Sequence, residues 1–202
     1  TMTNDVKFSR NVILIDVAFV NEVIAQSKKP MEEQLGRELP NIDLPAWLSY
    51  LALDAGLREG DNEIQVLLVH DEGTHTLNCC EPTDLDGLDG MACRTPLGEF
   101  VFSTVCPARI TNTEDLFLDL MNLTLDSADV ECLMLLPFHP SYGDRVEDGL
   151  HEFFKGKSKE KGDKAVYFLM DKLLEPLPCR SEFVAYSVLH AFGIKSEDLN
   201  KA

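Results

Sequence analysis

The chain lacks the glycine-rich loops that cradle phosphates. No Gly-x-Gly-x-x-Gly follows its first apolar run, and Gly156-Lys157-Ser158 has His151 rather than glycine five residues ahead of it. Dinucleotide or P-loop nucleotide binding is therefore not expected. A Gly-x-Ser-x-Gly elbow is also absent, which disfavours an α/β-hydrolase. No two of the six cysteines are spaced as Cys-x-x-Cys, so neither a zinc knuckle nor a dithiol redox pair is indicated. Reduced cysteines serving as small hydrophobes fit better, and with them a cytoplasmic location. No apolar run approaches the roughly 20 residues that span a bilayer. Asn4, Asp5, Lys7 and Arg10 interrupt the N-terminal stretch that a secretory leader would need.

Positive charge is scarce as well. Lys plus Arg number 18 against 35 Asp plus Glu, a formal net charge of −17. Such an excess repels phosphate backbones and anionic membrane surfaces, so nucleic acid is disfavoured as a partner unless the chain is a nuclease. Lysines gather only in Lys155–Lys164, which reads as a solvated loop with cations at a helix C-terminus. The 202 residues fit one domain able to bury about 70% of its unfolded surface.

What is present begins with Asn11-Val12-Ile13-Leu14-Ile15-Asp16, a continuous apolar run that stops at a carboxylate. Unbroken hydrophobicity is the pattern of a strand covered on both faces. Further strands are expected at Ile64–His70, Gly98–Cys106, Val130–Leu136 and Ala165–Met170, with a short one at Thr74–Cys80. Helices are expected over 17–27, 44–57, about 111–125, 142–155 and 181–192. Asp43 should cap the second, and Thr111-Asn-Thr-Glu114 should open the third as a capping box, with Leu116, Leu120 and Leu123 aligned. The stretch 28–43 reads as a connection with one helical turn near Met31–Leu35, and 81–95 as loop. Strands alternating with helices predict a single three-layer α/β/α domain, with a mostly parallel sheet of about five strands.

Asp16, Asp71 and Asp144 each follow a predicted strand. The fold could gather them at the sheet's C-terminal edge, where open α/β sheets place their ligands. Converging carboxylates there would hold Mg²⁺ or Mn²⁺ through oxygen ligands, and two such ions could activate water against a phosphodiester. Against this, strand-ending Asp residues also cap the helices that follow. His139, between Phe138 and Pro140, would be a base or ligand, or else a structural plug. The acidic stretch Asp84–Gly90 has Leu88 and Asp89 where a calcium loop wants a ligand and a glycine, so a solvated loop explains it better.

The pattern resembles the PIN-like superfamily, above all its NYN branch. The likeness is carried by Asn11–Asp16 with Asn21 one turn on, by a helix bearing Asp115 and Asp119, and by the strand Val130–Leu136 followed by a loop and helix. The resemblance implies a PIN/Rossmann-like fold and a metal set of Asp16, Asp115, Asp119 and Asp144. After its fourth strand that family carries a Gly-Asp-Ser-Asp-Phe-like segment, where this chain has Leu136-Pro-Phe-His-Pro-Ser-Tyr-Gly-Asp144. The expected function is thus a degenerate PIN/NYN-like domain that binds a partner, expected to be protein. The alternative is a divalent-metal-dependent ribonuclease or phosphoesterase. The chain also looks like a member of a bacterial family of unknown function.

Overall fold

A computed structural model describes residues 7–200; Asn4 and Asp5, invoked above against a leader, lie outside the described residues. The first strand, β1 (Asn11–Asp16), is buried along its whole length. It lies between β3 (Asn62–Val69) and β7 (Cys132–Leu136), parallel to both. The continuous apolar run is therefore an interior strand, as its composition demands. Two short strands, β2 (Ile42–Asp43) and β4 (Cys80–Glu81), form a separate parallel pair. The main sheet is completed by β5 (Ala92–Thr95), β6 (Gly98–Val105), β8 (Ala165–Leu169) and β9 (Arg180–Phe183). Its order is β5-β6-β3-β1-β7-β8-β9, and only β5 runs antiparallel. From β1 the chain builds outward through β3 and β6, then returns to the other side of β1 to lay down β7, β8 and β9. The direction of winding reverses between β1 and β7.

Seven strands replace the expected five. β5 falls in the stretch read as loop, and β9 occupies the start of the expected last helix, now α7 (Val184–Ala191). Both are four-residue edge strands with half-exposed or exposed side chains, too short and too polar to show an apolar run. The tight turn joining β5 to β6 needs Gly98: its φ is +145°, and a Cβ there would lie 2.1 Å from the Asn62 carbonyl oxygen.

Helices cover both faces. After β1 comes a π-helical segment, Phe19–Ile24, running directly into α1 (Ala25–Leu35). The helix thus continues through Pro30, where a connection was expected, and ends at Gly36 with φ +70°. α2 (Leu44–Asp54) starts as anticipated: the Asp43 carboxylate accepts the Ala46 amide, and Trp47, Leu48, Leu51 and Ala55 are buried. A short α3 (Leu85–Leu88) follows, then α4 (Thr113–Asp126). The α4 cap is Asn112, accepting the Asp115 amide at 2.8 Å, while the Thr111 hydroxyl bonds Ala108 instead. Its buried stripe is Phe117, Met121 and Leu125; the anticipated Leu123 is half exposed. α5 (His139–Phe154) begins three residues earlier than read, and α6 (Lys159–Gly162) and α8 (Ser196–Leu199) are single turns. Within the lysine-rich stretch, Lys164 donates to the Leu125 and Ser127 carbonyls at the C-terminus of α4.

Alternate residues of β1 feed two cores. Ile13 and Ile15 pack with α2 and α7 on one face, while Val12 and Leu14 pack with α4 and α5 on the other. By the same alternation Asp16 points to the α4–α5 side.

Candidate functional site at the sheet's C-terminal edge

Asp16 ends β1 beside the point where the winding reverses, the position at which open α/β sheets leave a crevice. Its carboxylate is not open to that crevice. The residue is only 1% exposed. One oxygen accepts the Ala18 amide at 2.9 Å, and the other accepts the Tyr142 hydroxyl at 2.5 Å. That length suits a phenol bonded to a charged carboxylate. Tyr142 itself is buried, packed against Phe117, and its backbone (φ −144°, ψ 22°) departs from helix within α5. This kink carries the phenol to the end of β1. Burial raises the pKa of Asp16 and outweighs the lowering by Tyr142 and Ala18; the charges of Asp71 and Glu22 raise it further. Burial and the facing carboxylate push the Tyr142 phenol up as well.

The other expected acids are dispersed by the same packing. Asp115 accepts Arg145 at 3.2 Å, and Arg145 also clasps Glu114 at 2.6 Å, tying α4 to α5. Asp119 is exposed one turn further along α4. Asp144, although adjacent to Gly143 and Tyr142, is exposed in a different cleft, between α5 and the β8–β9 connection. Asp71 turns back on its own loop, accepting the Gly73 amide and the Thr74 hydroxyl. Asn21 braces that loop: its side chain donates to the Thr76 carbonyl and accepts the Asn78 amide. Among the described residues, no three of His, Cys, Asp and Glu come together in a set that could hold a metal ion.

His139 lies between the rings of Phe19 and Tyr167, at centroid distances of 5.1 and 5.6 Å. One ring nitrogen, Nε2, sits 2.6 Å from the Phe168 carbonyl and so carries the proton; Nδ1 is buried and has no hydrogen-bond partner among the described residues. Burial lowers its pKa, against the carbonyls of Phe168 and Pro137, which favour the cation. The geometry is that of a neutral imidazole wedged between the π-helical segment and β8. In the acidic stretch, Asp84 caps α3, Asp86 pairs with His75 at 2.8 Å, and Asp89 accepts the Thr104 amide.

The residues that organise this edge include several that sequence reasoning passed over: Tyr142, Arg145 and Tyr167. No motif marks them. The only available signal was position, since Tyr142 lies in the first turn of the helix after the strand that neighbours β1.

No curated protein and no solved structure matches the chain. No PIN-like or NYN-like family matches it either. One family model does, over residues 5–199. The chain accordingly belongs to the family of unknown function DUF6621.

Proposed function

We propose that this is a non-catalytic α/β domain, a degenerate relative of the PIN/NYN-like or Rossmann-like architectures, that works by binding a protein partner. The observation that carries the reading is the closure of Asp16. The acid at the crevice has both oxygens engaged by the protein's own donors and is shut from solvent. A catalytic metal ligand would have to give up the Tyr142 bond and be re-exposed. The strand order supports the architectural part: with the two short strands and β5 set aside, the remaining six run third-second-first-fourth-fifth-sixth, the doubly wound order. The charge of −17 favours a partner with a basic surface and would speed its approach. Six free cysteines support a reducing compartment such as the cytoplasm. No helix among the described residues is long and apolar enough to cross a membrane.

A second reading, a Mg²⁺- or Mn²⁺-dependent ribonuclease or phosphoesterase using Asp16, Asp115, Asp119 and Asp144, rests on one observation. Asp71 and Glu22 lie near enough to raise the pKa of Asp16, so negative charge does accumulate at this edge. Calorimetric titration with Mn²⁺ and an assay on single-stranded RNA separate the two. The binding-domain reading expects neither saturable heat nor cleavage. Saturable heat and cleavage that both vanish in Asp16→Asn would establish the enzyme instead.

A further inference from the structure

A separate cleft of about 750 Å³ opens between α5 and the β8–β9 connection, at the C-terminal rim of the sheet. The size is within the range of small-molecule sites, roughly 300–1,000 Å³. One wall is acidic: Asp144, Glu147 and Asp148 project from a single stretch of α5. Burial, then Asp144 and Asp148, raise the pKa of Glu147, against a smaller opposite effect of His151, so the three carboxylates share one field in which acid outweighs base. Asp171 and Glu175 add to it from the connection, and Lys172 is the only Lys or Arg in the lining. Leu169, Leu173 and Leu177 add apolar surface to the lining.

Tyr167 supplies an independent sign of a ligand. It is 2% exposed, yet among the described residues its hydroxyl has no hydrogen-bond partner. The ring is buried and the oxygen faces the cleft, so its partner must come from whatever fills that space. This hydroxyl lines the cleft. It lies 3.6 Å from where a Cβ on Gly143 would stand, and the Glu147 Oε2 lies 3.9 Å from the same point. The glycine thus keeps an open spot between a phenol and a carboxylate.

We propose that this cleft binds an organic ammonium ion, a primary alkylamine whose cationic head sits between the Tyr167 hydroxyl and the carboxylates of Glu147, Asp144 and Asp148, with its alkyl chain along Leu169, Leu173 and Leu177. The ammonium donates to the carboxylates and to the Tyr167 oxygen, and so offsets the excess of acid while giving that oxygen a partner. A bare divalent cation fits less well, since half the wall is hydrocarbon and the acids do not form a ligating set. The inference is independent of the partner-binding reading, because it uses none of the contacts around Asp16.

The test uses the whole chain at physiological salt with three probes of equal length: hexylammonium, hexanol and sodium hexanoate. Amide chemical shifts are followed by NMR. The expected result is saturable shifts for hexylammonium, confined to α5 and 169–177, with at least tenfold weaker response to hexanol and none to hexanoate. Glu147→Gln should weaken hexylammonium binding about tenfold, and Tyr167→Phe severalfold. If Glu147→Gln does not fold, the exposed Asp148→Asn serves in its place, with a severalfold loss expected. Equal response to all three probes, unsaturable shifts spread over the acidic surface, or unchanged binding in the folded variants would overturn the proposal.

Discussion

Replacing Tyr142 by phenylalanine removes the hydroxyl that donates to Asp16 at 2.5 Å and leaves the ring packing against Phe117 in place. Asp16 then keeps one donor, the Ala18 amide, for a carboxylate that is 1% exposed. A hydrogen bond to a charged group contributes about 1.5–3 kcal/mol, and one between neutral groups about 0.5–1.5 kcal/mol. The loss should therefore be near the upper range where Asp16 is ionised and near the lower where it is protonated. The sign follows from linkage. The folded pKa of Asp16 lies above 3.8, so between that value and the folded pKa the native state holds more protons than the unfolded one, and stability falls as pH rises through the interval. Tyr142 is one of the groups holding that pKa down, so its removal extends the interval upward. The deficit of Tyr142→Phe should thus grow with pH and then level off. Urea unfolding between pH 4.5 and 8, read as the midpoint at constant m, measures it. At neutral pH a loss of that size lowers Tm by roughly 3–12 °C in a chain of this length. A deficit independent of pH, or no deficit, would refute the idea that this phenol holds a buried carboxylate.

Three other outcomes are expected. Gly98→Ala should cost more than about 3 kcal/mol or prevent folding, because its Cβ would meet the Asn62 carbonyl at 2.1 Å in a backbone conformation with φ +145°; near-native thermal stability would contradict this. His139 should stay neutral below its usual pKa of about 6.5, with the proton on Nε2, and the stability it contributes should fall as pH drops below that value while the unfolded chain takes up a proton. Imidazole ¹⁵N shifts check this, and titration at or above 6.5 would count against it. Asn21→Ala should cost about 1 kcal/mol and speed amide exchange around Thr76–Asn78, whose backbone it holds. Unchanged exchange there would show that the brace does not matter.

Much of the fold was legible in the residues themselves. Asn11–Asp16 declares an interior strand because nothing polar interrupts it, and Asp43 ahead of Leu44-Pro45 declares a helix start. The edge strands were hidden by shortness: Arg180–Phe183 buries too little to differ from the helix that follows. α4 was read one residue out of register, since Leu116 and Phe117 are equally apolar and only the packing of Phe117, Met121 and Leu125 decides between them. The candidate site was legible only in part. Sequence order places Asp16 at the edge, but the partner that occupies it comes from 126 residues away, and no spacing rule foretells a tyrosine presented by a kinked first turn. The diversion of Asp115 likewise depends on Arg145, whose clasp exists only once α4 and α5 are packed.

The most direct test of the central claim, that Asp16 is a sequestered structural acid, is its own titration followed by carboxyl ¹³C NMR in the native protein. The account predicts a pKa above 3.8 that rises further in Tyr142→Phe and does not shift when Mn²⁺ is added. A pKa at or below 3.8, or a Mn²⁺-dependent loss of the Asp16 signal at stoichiometric metal, would contradict it.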